Sequence, residues 1–282
     1  MLVAFVLFLR EGLEASLIVS ILFAVLRQLN LTHYTRAVWT GIIAALFGSL
    51  LGGIALYATI REYNGSTFQT IFETITYLAA VVLLTSMTFW MHSHSTSLKH
   101  EITAKARTAG SGLALGLLAF TTVGREALES AVFTLAFAFQ VNGVLLLLGA
   151  VLGVAASVAL SFMIYRLGYR LNFRVFFRVM GIVLLAFAAG LLADAVQNAQ
   201  ALGWLTFGTA PMWNTSAILS ESSTIGDILH AFLGYAEAPT VLQAVMYGTF
   251  VLVAGSIFWQ MTRSRTPRGR VVAPGGAQSA VE

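Results

Sequence analysis

Two pentapeptides hold the residues with the most chemistry in this sequence: Arg10-Glu11-Gly12-Leu13-Glu14 and Arg125-Glu126-Ala127-Leu128-Glu129. Read as helix, each sets its two glutamates on one face at i,i+3, with the arginine four residues before the second glutamate and within ion-pair reach. Four carboxylates and two guanidiniums sum to about −2 when all are ionised, close to what one divalent cation neutralises. Carboxylate oxygens in a six-coordinate site suit Mg, Mn or Fe(II). The chain has no cysteine, so thiolate ligation, disulfides and cysteine nucleophiles are excluded.

The elements that must carry these motifs are membrane helices. The composition is 58% hydrophobic and 10% charged, with a mean hydropathy of +0.83, so a bilayer is the natural solvent. Apolar stretches over roughly 2–28, 37–60, 68–92, 111–139, 143–165, 174–199 and 241–262 are each long enough, at ~1.5 Å per residue, to cross a ~30 Å hydrocarbon layer. The expected fold is all-α with seven transmembrane helices. The first stretch lacks a basic leading region and holds Arg10, Glu11 and Glu14, which argues against a cleaved signal peptide.

The basic residues orient these spans. Arg27 and Arg36 flank the first loop, Lys99, Lys105 and Arg107 fill the third, and Arg166, Arg170, Arg174 and Arg178 surround the fifth. The tail adds Arg263, Arg265, Arg268 and Arg270, and only Arg61 falls on the opposite side once Arg10 and Arg125 are set aside. The positive-inside rule then puts the amino terminus outside and the carboxyl terminus inside. Basic residues spread in this way report topology, so the net charge of +4 implies no nucleic-acid partner.

With three spans between them, the two motifs enter from opposite faces, which makes the chain an inverted 3+3 repeat with one extra helix. The organisation is a first repeat over 1–92, an inner loop over 93–110, a second repeat over 111–199, an outer segment over 200–240, a last span over 241–263 and a disordered inner tail over 264–282. Within the outer segment, Ile225, Ile228, Leu229, Phe232 and Leu233 fall at helical spacing and suggest an interfacial helix, with Thr224 and Asp227 as its capping box.

Both motifs fall near mid-membrane, where an ionised side chain costs about 2.5–3.5 kcal/mol. Six such groups must face each other or water. They form either a cation site on the repeat axis, with Glu11, Glu14, Glu126 and Glu129 as ligands and Arg10 and Arg125 balancing charge, or internally satisfied pairs that lock two helices together. Gly12 and Thr121-Thr122-Val123-Gly124 could loosen the helices and free backbone carbonyls. Glu73 and Asp194, nearer the outer surface, could form a shallower station at the metal entrance. Of the histidines, His92, His94 and His100 lie near the inner mouth, while His33 and His230 fall in loops, and none is placed for a membrane haem.

The paired Arg-Glu-x-x-Glu motifs, with Leu84-Thr85-Ser86-Met87-Thr88-Phe89-Trp90-Met91, Ser216-Ala217-Ile218-Leu219-Ser220 and Gly234-Tyr235-Ala236-Glu237-Ala238-Pro239, resemble the oxidase-dependent iron permeases, the iron/lead transporter family, and most closely its bacterial ferrous permease branch. The resemblance covers nearly the whole chain. It implies uptake of iron, Fe2+ or Fe3+, across the cell (plasma or inner) membrane, with iron as cargo rather than a permanently bound cofactor, and no enzymatic activity. It implies Glu11, Glu14, Glu126 and Glu129 as iron ligands, and Glu73 matches an acidic position of the family's third span. It also implies periplasmic or extracellular partners that oxidise or deliver iron, in bacteria a haem peroxidase-like and a cupredoxin-like protein. Many relatives carry a His-Glu pair where this chain has Gln200-Ala201. Carboxylates alone leave Mn or Pb open as cargo, and a membrane scaffold or redox-complex subunit is the rival of another class.

Overall fold

The computed structural model describes residues 1–62, 65–94, 98–109, 111–140, 142–167 and 173–263. Its helices are α1 (Leu2–Gln28), α2 (Thr35–Glu62), α3 (Thr67–His94), α4 (Leu98–Thr108), α5 (Gly112–Ala138), α6 (Gly143–Leu167), α7 (Phe173–Ala201), α8 (Thr224–Leu233) and α9 (Val241–Arg263). Long helices thus cover all seven apolar stretches. Segments over Thr32–Ala58, Thr67–Met91, Gly143–Met163, Val175–Ala201 and Val241–Arg263 are long and apolar enough to cross a membrane. The other two long helices, α1 and α5, have 27 residues each and differ in carrying the motif charges at their middles.

The long helices pair as α1 on α6, α2 on α5 and α3 on α7, with α8 and α9 added against α7. Between membrane helices the attraction comes from close packing, so small residues sit where backbones approach. A Cβ on Gly41 of α2 would collide with the carbonyl of Gly116 of α5, and one on Gly149 of α6 with the carbonyl of Met1 before α1. Gly153 lies against the backbone of Phe5 and Leu9, as Ala45 lies against Gly124. Met1 and Gly116, like Leu9 and Gly124, are separated by the same number of residues as Arg10 and Arg125.

Two apolar clusters bracket the motif level. One joins Val3, Leu7, Tyr77, Leu84, Phe133, Phe137, Leu184 and Phe187 from α1, α3, α5 and α7. The other joins Ile18, Leu22, Val38, Ile42, Ile102, Leu115, Ala119 and Val123 from α1, α2, α4 and α5. Along α1 the charged residues therefore fall between Leu7 and Ile18, and along α5 between Val123 and Phe133.

Between α3 and α5, α4 buries Ile102 and Ala106, an i,i+4 pair, against the second cluster. One local expectation changes. The cap of α8 is Ser223, not Thr224, because Ser223 is the extended residue and its Oγ accepts the Gly226 N–H at 3.0 Å. At the far end of α8, Gly234 adopts a left-handed φ of 63° and its backbone lies against Gly190 of α7. Phe232 meets Phe187 edge-on at 5.2 Å, seating α8 on the bundle, while Ile225, Ile228 and Leu233 stay exposed. The preceding connection is tied down by the Met212 N–H to Pro239 O and Thr215 N–H to Glu237 O bonds, both 2.8 Å. The tail over 264–282 lies outside the described residues.

Candidate metal centre

On α1 the pentapeptide stays helical, which turns Glu11 and Glu14 to one side and buries Arg10, Glu11 and Glu14 to 2–4% exposure. The Arg10 guanidinium makes three contacts. Its Nη1 donates to Glu11 Oε1 and also, at 3.1 Å, to the sulfur of Met87 on α3. Its Nη2 lies 2.9 Å from Glu14 Oε1, an ion pair without hydrogen-bond alignment.

The second pentapeptide is arranged differently. Glu126 and Glu129 are buried, but the Arg125 side chain is 51% exposed. Arg125 Nε donates to Glu129 Oε1 at 2.9 Å, and its guanidinium lies 5.2 Å from the ring centre of Trp90 on α3. One arginine is thus turned into the carboxylate layer and the other is turned out of it.

Across the helices the carboxylates converge. Glu11, Glu126 and Glu129 each offer an oxygen, and these oxygens lie within 4.8 Å of one another. Glu11 Oε2, Glu126 Oε2 and Glu129 Oε2 are buried without a hydrogen-bond partner. A buried ion left without full compensation costs several kcal/mol, so these oxygens take up either a proton or a cation. An all-oxygen donor set of this kind suits a hard or borderline divalent ion. Glu14 is not one of the converging three; it pairs with Arg10.

Neither motif frees a backbone carbonyl by breaking its helix. The Gly12 carbonyl accepts Ser16 Oγ at 2.7 Å, and the missing side chain at Gly12 instead admits Ser157 of α6, with which a Cβ would collide. Thr121 and Thr122 turn their hydroxyls onto the Leu117 and Leu118 carbonyls of their own helix.

Glu73 and Asp194 lie away from this layer and have separate partners. Glu73 is half-buried and accepts from Gln69 Nε2 at 2.7 Å. Asp194 is buried, accepts from Gln140 Nε2 and lies 3.8 Å from His230 Nε2. His230 Nδ1 lies 3.2 Å from Glu221 and 2.8 Å from the Tyr235 carbonyl. His230 and Glu221 therefore join Asp194, a grouping that sequence reading missed because the residues come from three separate segments. The side chains of His92, His94 and His100 lie outside the described residues. Gln200, where many relatives are expected to carry histidine, donates to the Phe207 and Gly208 carbonyls and accepts from Thr240.

In the comparison of the whole chain, the iron permease FTR1 family matches residues 1–267. The chain belongs to the FTR1 iron permease family. Relatives include the ferrous iron permease EfeU of Yersinia pestis, 34% identical over 94% of this chain and 95% of its own length. EfeU of Escherichia coli O6:K15:H31 is 36% identical over 90% of this chain and 94% of its own length. No solved structure matches. FTR1 permeases are transporters rather than enzymes, and this member, with its apolar helices, is a multi-pass membrane protein.

Proposed function

We propose that this chain takes iron ions inward across the cell membrane through a carboxylate site built from Glu11, Glu126 and Glu129, with Glu14 joining when Arg10 releases it. The observation that carries this reading is the convergence of the three carboxylates within 4.8 Å, with buried oxygens left unpartnered. Those oxygens count against a purely structural lock, in which each would be satisfied. The ferrous permeases among the relatives favour Fe(II) as the cargo.

The scaffold of this reading is seven spans, α1 to α3 and α5 to α7 as inverted repeats with α9 added, and the amino terminus outside. Exchanging the repeats carries the α1–α6 pair onto the α5–α2 pair and leaves α3–α7 unchanged, in keeping with the observed packing and with the matched glycine contacts. The apolar clusters on both sides of the charged layer suit an occluded state, from which rocking of one repeat against the other exposes the site to either face. Asp194, His230 and Glu221, with Glu73 nearby, form the outer approach, where periplasmic partners would hand over iron. Iron is substrate here, and the cycle calls for no resident cofactor.

The test is uptake of radiolabelled iron by proteoliposomes holding the parent, Glu14→Gln or Glu129→Gln, with Mn as competitor. Uptake by the parent and its loss in folded variants supports the reading. Undiminished uptake by both variants removes these carboxylates from the path, and equal uptake of Mn replaces iron as the specific cargo.

A further inference from the structure

Within that reading, the contacts of Arg10 go beyond charge balance. The guanidinium shares Glu11 with the converging carboxylates. Its two terminal nitrogens reach Glu11 Oε1, Glu14 Oε1 and Met87 Sδ, all on residues no more than 4% exposed. It pairs with Glu14, which is not in the converging triad, and with one oxygen of Glu11, which is. Arg125, on the repeat-related helix, shows the alternative position, swung out over Trp90 with Glu126 left free of it.

Beside Arg10 the packing is incomplete. A cavity of about 20 Å³, room for roughly one water, is lined by Arg10, Thr88, Met91, Phe177, Gly181 and Leu184.

We propose that Arg10 is a tethered stand-in for the transported cation. In the empty permease its guanidinium lies against Glu11, Glu14 and Met87; an arriving iron ion displaces it and takes over Glu11, Glu14 and the Met87 thioether. The device answers a physical problem. A vacant site with surplus carboxylates is costly to carry through a dry bilayer, and a cation fixed to the chain neutralises it on the return stroke. A ligand shifts a conformation only through its differential affinity for the two states, and competition between iron and guanidinium for the same oxygens supplies that difference. The thioether adds a soft donor that favours Fe(II) over Mg.

The test is equilibrium dialysis of radiolabelled Fe(II), under anaerobic conditions, against the full chain in lipid nanodiscs, with helical circular dichroism as the check of folding. Removing the competitor in Arg10→Gln should tighten iron binding about tenfold or more while uptake turnover falls. A residue that merely positions the glutamates would weaken binding instead. Arg10→Lys keeps the charge but cannot span the three acceptors, so tighter binding there separates displacement from a change in net charge. Weaker or unchanged binding in Arg10→Gln overturns the proposal, as does unchanged binding in Arg10→Lys. If the parent binds no iron, or Glu129→Gln binds as the parent does, the carboxylate site itself fails and the stand-in falls with it.

Discussion

The guanidinium of Arg125 lies over the ring of Trp90, 5.2 Å from its centre, and the same group bonds Glu129. Trp90 thereby holds a half-exposed charge on an otherwise apolar helix. Cation–π contacts of this kind contribute about 0.5–2 kcal/mol. Trp90→Leu should lower iron uptake roughly 2- to 30-fold, and Trp90→Phe, which keeps an aromatic face, should retain more of it. Initial rates in proteoliposomes measure the effect, and equal rates for Leu and Phe would remove the ring from the argument.

The unpartnered oxygens of Glu126 and Glu129 set stability against function. Glu126→Gln removes a buried carboxylate that forms no direct ion pair among the described residues, so the iron-free protein should gain about 1 kcal/mol, roughly 2–4 °C in Tm. Added iron should then raise the Tm of the parent by linkage and leave the variant where it was. Thermal unfolding in detergent with and without Fe(II) checks both signs. An iron-free variant that melts below the parent would mean that Glu126 is satisfied in the empty state.

How much of this could be read from sequence follows from what each signal depends on. The motif carboxylates were legible because charge is rare on apolar helices and the pentapeptide occurs twice. The helices were legible because hydropathy alone marks a long apolar stretch. The difference between Arg10 and Arg125 was not, since the two motifs share their chemistry and the difference is made by Met87 and Trp90, two residues of α3 that each contact a different motif. His230 was hidden by distance along the chain from Asp194, and α4 by its polar composition, with Ile102 and Ala106 marking its buried side.

The close helix contacts predict which glycines tolerate a methyl group. Gly41 and Gly149 have a carbonyl of the neighbouring helix, or of the residue before it, where a Cβ would go, whereas Gly48 and Gly52 have nothing within 4 Å. Gly41→Ala and Gly149→Ala should each destabilise by about 1–3 kcal/mol through overpacking. Gly48→Ala and Gly52→Ala should be neutral or stabilising by up to about 1 kcal/mol, because alanine favours helix. Melting temperatures of the four variants decide it. Similar losses at Gly41 and Gly149 are what repeat-related contacts require; a loss at one alone would argue that the two interfaces are not equivalent.

The orientation of the whole device rests on the basic residues, and the absence of cysteine makes it easy to measure, since a single introduced thiol is the only one present. Ser216, between α7 and α8, and Thr108, at the end of α4, are both exposed. Ser216→Cys should react with a membrane-impermeant maleimide in intact cells, and Thr108→Cys only after permeabilisation. The reverse pattern would place Asp194, His230 and Glu221 at the exit instead of the entrance and turn the transport direction around. The stand-in role of Arg10 would survive that reversal, because displacement from the carboxylate layer does not depend on which face the ion arrives from.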